Sequence, residues 1–426
     1  MMLGSFNFFI HRIRERLWVR PLLMCIVAIA GAGLAKTADN FGIAASILPN
    51  IPTETIETLL KIIASSMLVI ATFAVGSMVS SYASASSTAT PRSLPLVVSD
   101  DVSQNALSIF IGAFIFSIIA LIALMSGVYG TTGRFVIFCL TISVFGIVIL
   151  VFLRWVDSIA RLGKLGSTID KVEAATMEAF LRRRRDVRLG GYPPMPLPET
   201  AQAVHAPTVG YVQRLDVGSL QAYAEETELR ITVAALPGTF CAPDRPLAFV
   251  MVDPGSKKTF EPTRIADAFR IGDDRTFEDD PRFGLVVLSE IAGRALSPAV
   301  NDPGTAIDIL GTFVRLFVAW AKEPEDKKEE PCQFDRVAIE EISVHDMFQD
   351  AFTAIARDGA GTVEVGIRLQ KALRSLSSIG NPDLKLAAEH QADQALLHAE
   401  QALKLQTEFA AVRGVRSTAG TTETAQ

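Results

Sequence analysis

Residues 295–310 read ALSPAVNDPGTAIDIL, and with the preceding Arg294 they gather Ser297, Asn301, Asp302 and Asp308 into one short stretch. A guanidinium, a hydroxyl, an amide and two carboxylates can line a ligand pocket or form a subunit contact. The same residues can also turn one helix into the next. Asp280-Pro281, Ser297-Pro298 and Asp302-Pro303 each place a hydrogen-bond acceptor before proline. The acceptor caps free N–H groups, and proline fits the first helical position, where no N–H bond is lost. The pattern predicts helices over 281–296 and 303–321, with Asn301 holding the turn and Asp302 capping the second. No nucleophile–base pair and no Gly-rich phosphate cradle accompanies the corner. No catalytic residue is assigned, and an enzyme is the less favoured reading.

Three other clusters could do chemistry. The acidic stretch GDDRTFEDDP, 272–281, offers Asp273, Asp274, Glu278, Asp279 and Asp280 as oxygen ligands for a divalent cation. Their order does not match an EF-hand loop, so the stretch reads as a polar loop ending in a cap. His390 and His398 stand two helical turns apart, too far to share one metal easily, and read as a solvated face. The four cysteines (Cys25, Cys139, Cys241 and Cys332) are isolated. Neither a disulfide frame nor a zinc site is expected, and no metal or cofactor is assigned. The run Arg182–Arg185 could bind anionic lipid. It lies about 27 residues past the last apolar segment, ~40 Å along a straight helix. A solvated face, or a salt-bridge partner in another subunit, is the preferred reading.

The elements that position these groups fall into two halves. Of 426 residues, 49% are apolar, and the excess lies before residue 156, which points to membrane spans. A spanning helix needs ~20 apolar residues. Four segments qualify or nearly do: Trp18–Ala35, Leu59–Tyr82, 106–128 and 135–155. The apolar core of the first is ~14 residues, close to a signal-peptide core, and it is read as an uncleaved span. Arg12, Arg14, Arg16 and Arg20 precede the first span; Arg154, Arg161, Lys164 and Lys171 follow the fourth. The positive-inside rule then puts both termini in the cytoplasm. The loop 37–58 would face outward with Asp39, Glu54 and Glu57.

The second span carries Gly76, Ser80 and Ser84 at four-residue spacing. Small residues let helices or subunits approach closely; a hydroxyl-lined water path is the sharper alternative. No charged residue lies deep inside a span, which argues against an ion-coupled pump but not against a passive pore. The net charge of −6 gives no field that would draw nucleic acid.

The expected fold class is an α-helical membrane domain with four transmembrane helices, followed by a cytoplasmic α+β domain that is mainly helical at its C-terminus. An N-terminus (1–17) leads into the transmembrane domain (18–155). A juxtamembrane helix (156–189) follows, with Ile159, Leu162, Leu165, Ile169, Val172, Ala175 and Met177 near helical spacing. GGYPPMPLPET opens a linker (190–204). Strand patterns in GYVQRLD, ELRITVAAL and PLAFVMVD predict a small α+β or β-barrel-like unit (205–275). A helical unit (276–412) comes next. It contains a charged loop at 323–331, a strand in RVAIEEISV, and helices near 345–358, 361–379 and 382–412. The tail (413–426) is expected to be disordered.

The strings PTVGYVQRLD, IGDDRTFEDDPRFGLVVLSEIAGRALSPAVNDPGTAIDIL and TPRSLPLVVSDDVSQNALSIFIGAFIFSII resemble the bacterial membrane-protein family called domain of unknown function 2254. The likeness covers about residues 10–410. It implies a multi-pass inner-membrane protein with a cytoplasmic C-terminal domain. It supplies no activity or cofactor to carry over.

These features lead to one expectation and two rivals. The expectation is a homo-oligomer in the lipid bilayer, a passive channel or transporter-like pore gated by its cytoplasmic domain, with the small-molecule or ion ligand unidentified. The rivals are a non-conducting scaffold or regulatory binding protein, and a membrane-bound enzyme using the 294–308 corner.

Overall fold

The computed structural model describes residues 19–38, 49, 51–98, 100–161, 163–252, 260–322 and 332–417. The expected cytoplasmic N-terminus (1–17), residues 39–48 and 50 of the expected 37–58 loop, the charged loop at 323–331 and tail residues 418–426 lie outside the described residues. The chain forms two compact units, Met1–Thr168 and Ile169–Gln426.

The first unit holds α1 (Val19–Ala38), α2 (Thr53–Thr88), a short α3 (Leu94–Val98), α4 (Asp101–Met125) and α5 (Thr131–Ile159). The helix α4 packs against α1, α2 and α5. Small side chains make this possible: Ala106, Ala113 and Ala120 are buried along it. A Cβ on Gly112 would come within 3.0 Å of the Met24 Cβ. The buried hydroxyls of Ser108, Ser117 and Thr141 donate to carbonyls one turn back, at 2.6, 2.8 and 2.7 Å. They are satisfied inside their own helices and need no water. The outward surfaces of α2 and α5 show Phe73, Val79, Leu150 and Leu153. Such a cover suits hydrocarbon rather than water.

Among the described residues, five helices are long and apolar enough to cross a membrane. Four are α1, α2, α4 and α5. The fifth is Pro303–Ala321, in the second unit. Its stripe Ala306, Ile309, Leu310, Phe313, Phe317 and Trp320 is buried against protein.

The second unit follows the order α6 (Leu165–Arg185), β1 (Gly191–Tyr192), β2 (Gln202–His205), β3 (Gly210–Leu215), α7 (Val217–Thr227), β4 (Leu229–Val233), β5 (Phe240–Cys241), β6 (Pro246–Val252), α8 (Pro262–Ala266) and β7 (Phe269–Gly272). It continues with α9 (Pro281–Ala295), α10 (Pro303–Ala321), β8 (Phe334–Ile339), α11 (Val344–Asp358), α12 (Val363–Ser377), α13 (Pro382–Ala402) and α14 (Gln406–Ser417). The helix α6 begins at Leu165, four residues before the division at Ile169.

The strands form a mixed sheet in the order β1-β8-β4-β6-β2 and a second sheet β5-β3-β7. This differs from the barrel alternative. It also differs from the expected boundaries, because two distant segments join the sheet. The 190–204 stretch, expected as a linker, supplies β1 and the start of β2. From beyond α10 comes β8, which inserts between β1 and β4 and runs parallel to both. Parallel neighbours need a long crossover, and here it includes α9 and α10. The central strand β4 is buried at four of its five positions, with Leu229, Ile231 and Val233 in the core of the sheet unit.

The helices form the other layer. Phe317 stacks among Phe348 and Phe352, with centroids 4.3 and 5.8 Å away, and joins α10 to α11. Glu173 on α6 receives a two-pronged grip from Arg315, at 2.6 and 2.5 Å, and a hydroxyl bond from Thr312 at 3.2 Å. That clamp fixes α6 on α10. Gly284 lets α9 close on α6: a Cβ there would overlap the Thr176 hydroxyl. The long helix expected over 382–412 breaks at 403–405 into α13 and α14. Residues 413–417, expected as disordered tail, continue α14. Val412 is buried over Gly366, and Arg416 pairs with Asp393. These contacts give the tail helix a docking partner that composition could not show.

Candidate functional site

The 294–308 corner is a compact turn. Asn301 adopts φ 50°, the left-handed region, which asparagine tolerates well. Its N–H and that of Val300 donate to the Ser297 carbonyl at 2.8 and 3.0 Å, and Asp302 N–H donates to Ala295 O at 2.8 Å. The Ser297 hydroxyl donates to Arg294 O at 2.7 Å. Contrary to the acceptor-proline pattern, Ser297-Pro298 starts no helix, because this turn occupies it. Asp302 accepts from Thr305 N–H at 3.1 Å and from the Thr305 hydroxyl at 2.6 Å. Arg294 and Asp308 are exposed.

The Thr305 bonds hold the Asp302 carboxyl below its ordinary value. Its cap therefore contributes above about pH 4 and fades as pH falls through the lowered value. Asp302→Ala is expected to cost ~1 kcal/mol and Asp302→Asn only a few tenths. A loss of 3 kcal/mol or more in chemical unfolding of the Asn variant would mean that the charge itself is needed.

Gly76, Ser80 and Ser84 are all exposed on α2, whose buried face is Ala71, Ala74, Met78 and Ala85. A Cβ on Gly76 meets nothing within 4 Å. Ser84 donates to Gly163 O at 3.3 Å. The small face is thus not spent on packing inside one copy of the first unit.

A concavity of about 1000 Å³ lies elsewhere, within the second unit. Its walls come from the C-terminal turn of α6, the 233–240 segment after β4, the end of α10, and the starts of α11 and α13. Each wall owes its position to local chemistry. In the 233–240 segment, Gly238 adopts φ 94°, and a Cβ there would overlap the Asp280 carboxylate. Only glycine allows that turn to close on Asp280. Asp280 caps α9, accepting from Arg282 and Phe283 N–H at 3.1 and 3.2 Å, as the sequence predicted. It also accepts a fork from Arg275, at 2.7 and 3.0 Å. Burial pushes the Asp280 carboxyl up; Arg275, the Phe283 amide and Arg282 pull it down.

Arg282 reaches the other way, to Asp350 at 2.6 Å and Asp346 at 2.8 Å. Glu341 pairs with Arg188. These pairs neutralise much of the groove. Arg183, Arg184 and Arg245 also line it, together with Glu340 and Asp383. Arg183 is 4% exposed, and its Nη1 is fully buried without a hydrogen-bond partner among the described residues. Burial lowers the Arg183 guanidinium below its ordinary value, and Asp279, Asp186 and Asp280 oppose this. Arg184 lies over the Trp320 ring at 5.5 Å, and its Nε is likewise buried and unpartnered.

The arginine run is therefore not a uniform solvated face. Arg182 pairs with Glu178 and Asp279 at the surface, Arg185 is exposed, and Arg183 and Arg184 turn into the groove. Nor do the histidines lie on one solvated helix alone. His345 of α11 meets His390 of α13 with ring centroids 5.2 Å apart, at the groove edge. Among the described residues, no group of three or more histidine, cysteine or acidic side chains is arranged to hold a metal ion.

The model of the family described as "Predicted membrane protein (DUF2254)" matches residues 14–375. The chain belongs to this family. Curated relatives of this DUF2254 protein include two that are each 35% identical over 121 residues: an uncharacterized protein of Mycobacterium tuberculosis, MT1328, and one of Mycobacterium bovis, Mb1321c. The match covers 28% of this chain and 23% of each relative, so the chain spans less than a quarter of their length in alignment. No solved structure matches.

Proposed function

We propose that this DUF2254 protein is a membrane-anchored binding protein. Its first unit holds the chain in the bilayer through α1, α2, α4 and α5, and its second unit takes a small ligand in the groove. The helix α10 is read as a core helix rather than a fifth span, because its apolar stripe is already covered by protein. Arg154, Arg161 and Lys164 near the end of α5 favour the bacterial inner membrane with the second unit in the cytoplasm. The carrying observation is the buried Arg183 on the wall of a large groove, whose Nη1 has no hydrogen-bond partner among the described residues. A buried donor on a cation is costly to leave without an acceptor, and a ligand in the groove would supply one.

The test is native mass spectrometry of the full chain in detergent, before and after exposure to a bacterial small-molecule extract. A retained low-mass species is expected. Ala234→Trp should abolish it without loss of stability, since Ala234 is exposed and lines the groove. Retention that survives Ala234→Trp would place binding elsewhere.

A second reading, a passive pore, is favoured by one observation. Gly76, Ser80 and Ser84 are exposed on α2, where several copies could meet. Dye or ion flux from liposomes should then be lost in Gly76→Leu. Liposomes that stay sealed across salts and pH would remove this reading.

A further inference from the structure

We infer that the ligand of the groove carries a phosphate group, and that Arg183 receives it together with Arg184 and Arg245. This deepens the proposed binding role and rests on it. Arg275 and Arg282 already have carboxylate partners, so the charge left to a ligand sits on the other three guanidinium groups. Glu340 and Asp383 are both exposed, and they are the groove's acidic side chains outside those pairs and the Arg188–Glu341 pair.

Arg183 lines the groove, and its Nη1 is buried without a hydrogen-bond partner among the described residues. A buried N–H donor on a cation gains most from an ionised oxygen acceptor, and guanidinium forks match phosphate oxygens. Three such groups around one groove call for more oxygens and more charge than one carboxylate brings. The space exceeds inorganic phosphate severalfold, and Phe240 and Leu386 line it at 40% and 68% exposure. A phosphate ester with an apolar or aromatic body, of nucleotide size, matches both features.

The experiment is isothermal titration of the full chain in detergent with four probes: pyrophosphate, ADP, dioctanoyl phosphatidic acid and citrate. Binding of pyrophosphate or ADP, with citrate much weaker, is expected. Binding of the short-chain phosphatidic acid in preference to both would keep the phosphate and assign its source to a lipid headgroup. Arg183→Met should weaken the bound probe at least tenfold. Arg245→Gln, at an exposed position with little bearing on folding, should weaken it severalfold. Citrate binding as tightly as the phosphates, or phosphate binding unchanged in both variants, would overturn the inference. If no phosphate binds while native mass spectrometry still retains a ligand, the phosphate assignment fails and the binding role stands. If nothing is retained in either experiment, both fail.

Discussion

Replacing Asp280 with Ala should destabilise the second unit by about 3–5 kcal/mol, the usual effect of removing one member of a buried ion pair. Asp280 is 2% exposed, and three structures converge on it. The Arg275 fork loses both acceptors, and Arg275 is left facing the Phe283 ring at 5.3 Å. The first turn of α9 loses the acceptor of two N–H groups, worth ~1 kcal/mol by itself. The turn at Gly238 loses the carboxylate against which it closes. Asp280→Asn keeps the size and one acceptor oxygen but not the charge, so its loss should fall between wild type and Ala. Denaturant unfolding of the purified chain checks the order. An Ala variant within 1 kcal/mol of wild type would show that the carboxylate does not hold the groove wall.

Local chemistry was well written into the sequence; long-range partnership was not. Pro281 and Pro303 begin α9 and α10 at the expected residues, because an acceptor-proline pair signals a helix start without help from elsewhere. The same signal misled at Ser297-Pro298, where the hydrogen bonds of the Asn301 turn prevail. The strand at β8 was visible as a pattern, but its place between β1 and β4 depends on a crossover that periodicity does not encode. The groove was nearly legible. Ile169, Val172, Thr176, Phe180 and Arg183 fall on one buried stripe at three- and four-residue spacing. An arginine continuing an apolar stripe is a sign of a buried cation. It was hidden because four arginines in a row look like a uniform charged face, although successive helix positions point about 100° apart. The pairing of His345 with His390 left no such trace, since it joins two helices whose packing is set by apolar residues elsewhere.

Arg183→Met should leave the ligand-free protein as stable as wild type or more stable, by about 1–3 kcal/mol, the usual cost of a buried donor without an acceptor. Methionine keeps the aliphatic stem that continues the stripe from Phe180. It removes a charge whose Nη1 gains no hydrogen bond in return for its desolvation. The carboxylates that feel Arg183 do not depend on it. Asp279 lies 3.7 Å from Arg182 and 3.9 Å from Arg214. Asp186 accepts from Gly190 N–H at 2.6 Å, and Asp280 keeps the Arg275 fork. A residue that lowers stability in the free protein and raises it only when an anion arrives is arranged for binding, not for folding. Wild type should therefore be stabilised by a bound phosphate, while the Met variant should start higher and gain less at the same phosphate concentration. Thermal unfolding of both forms, with and without pyrophosphate, separates the two roles. A ligand-free Met variant that unfolds well below wild type would make Arg183 a structural cation held by Asp279, Asp186 and Asp280.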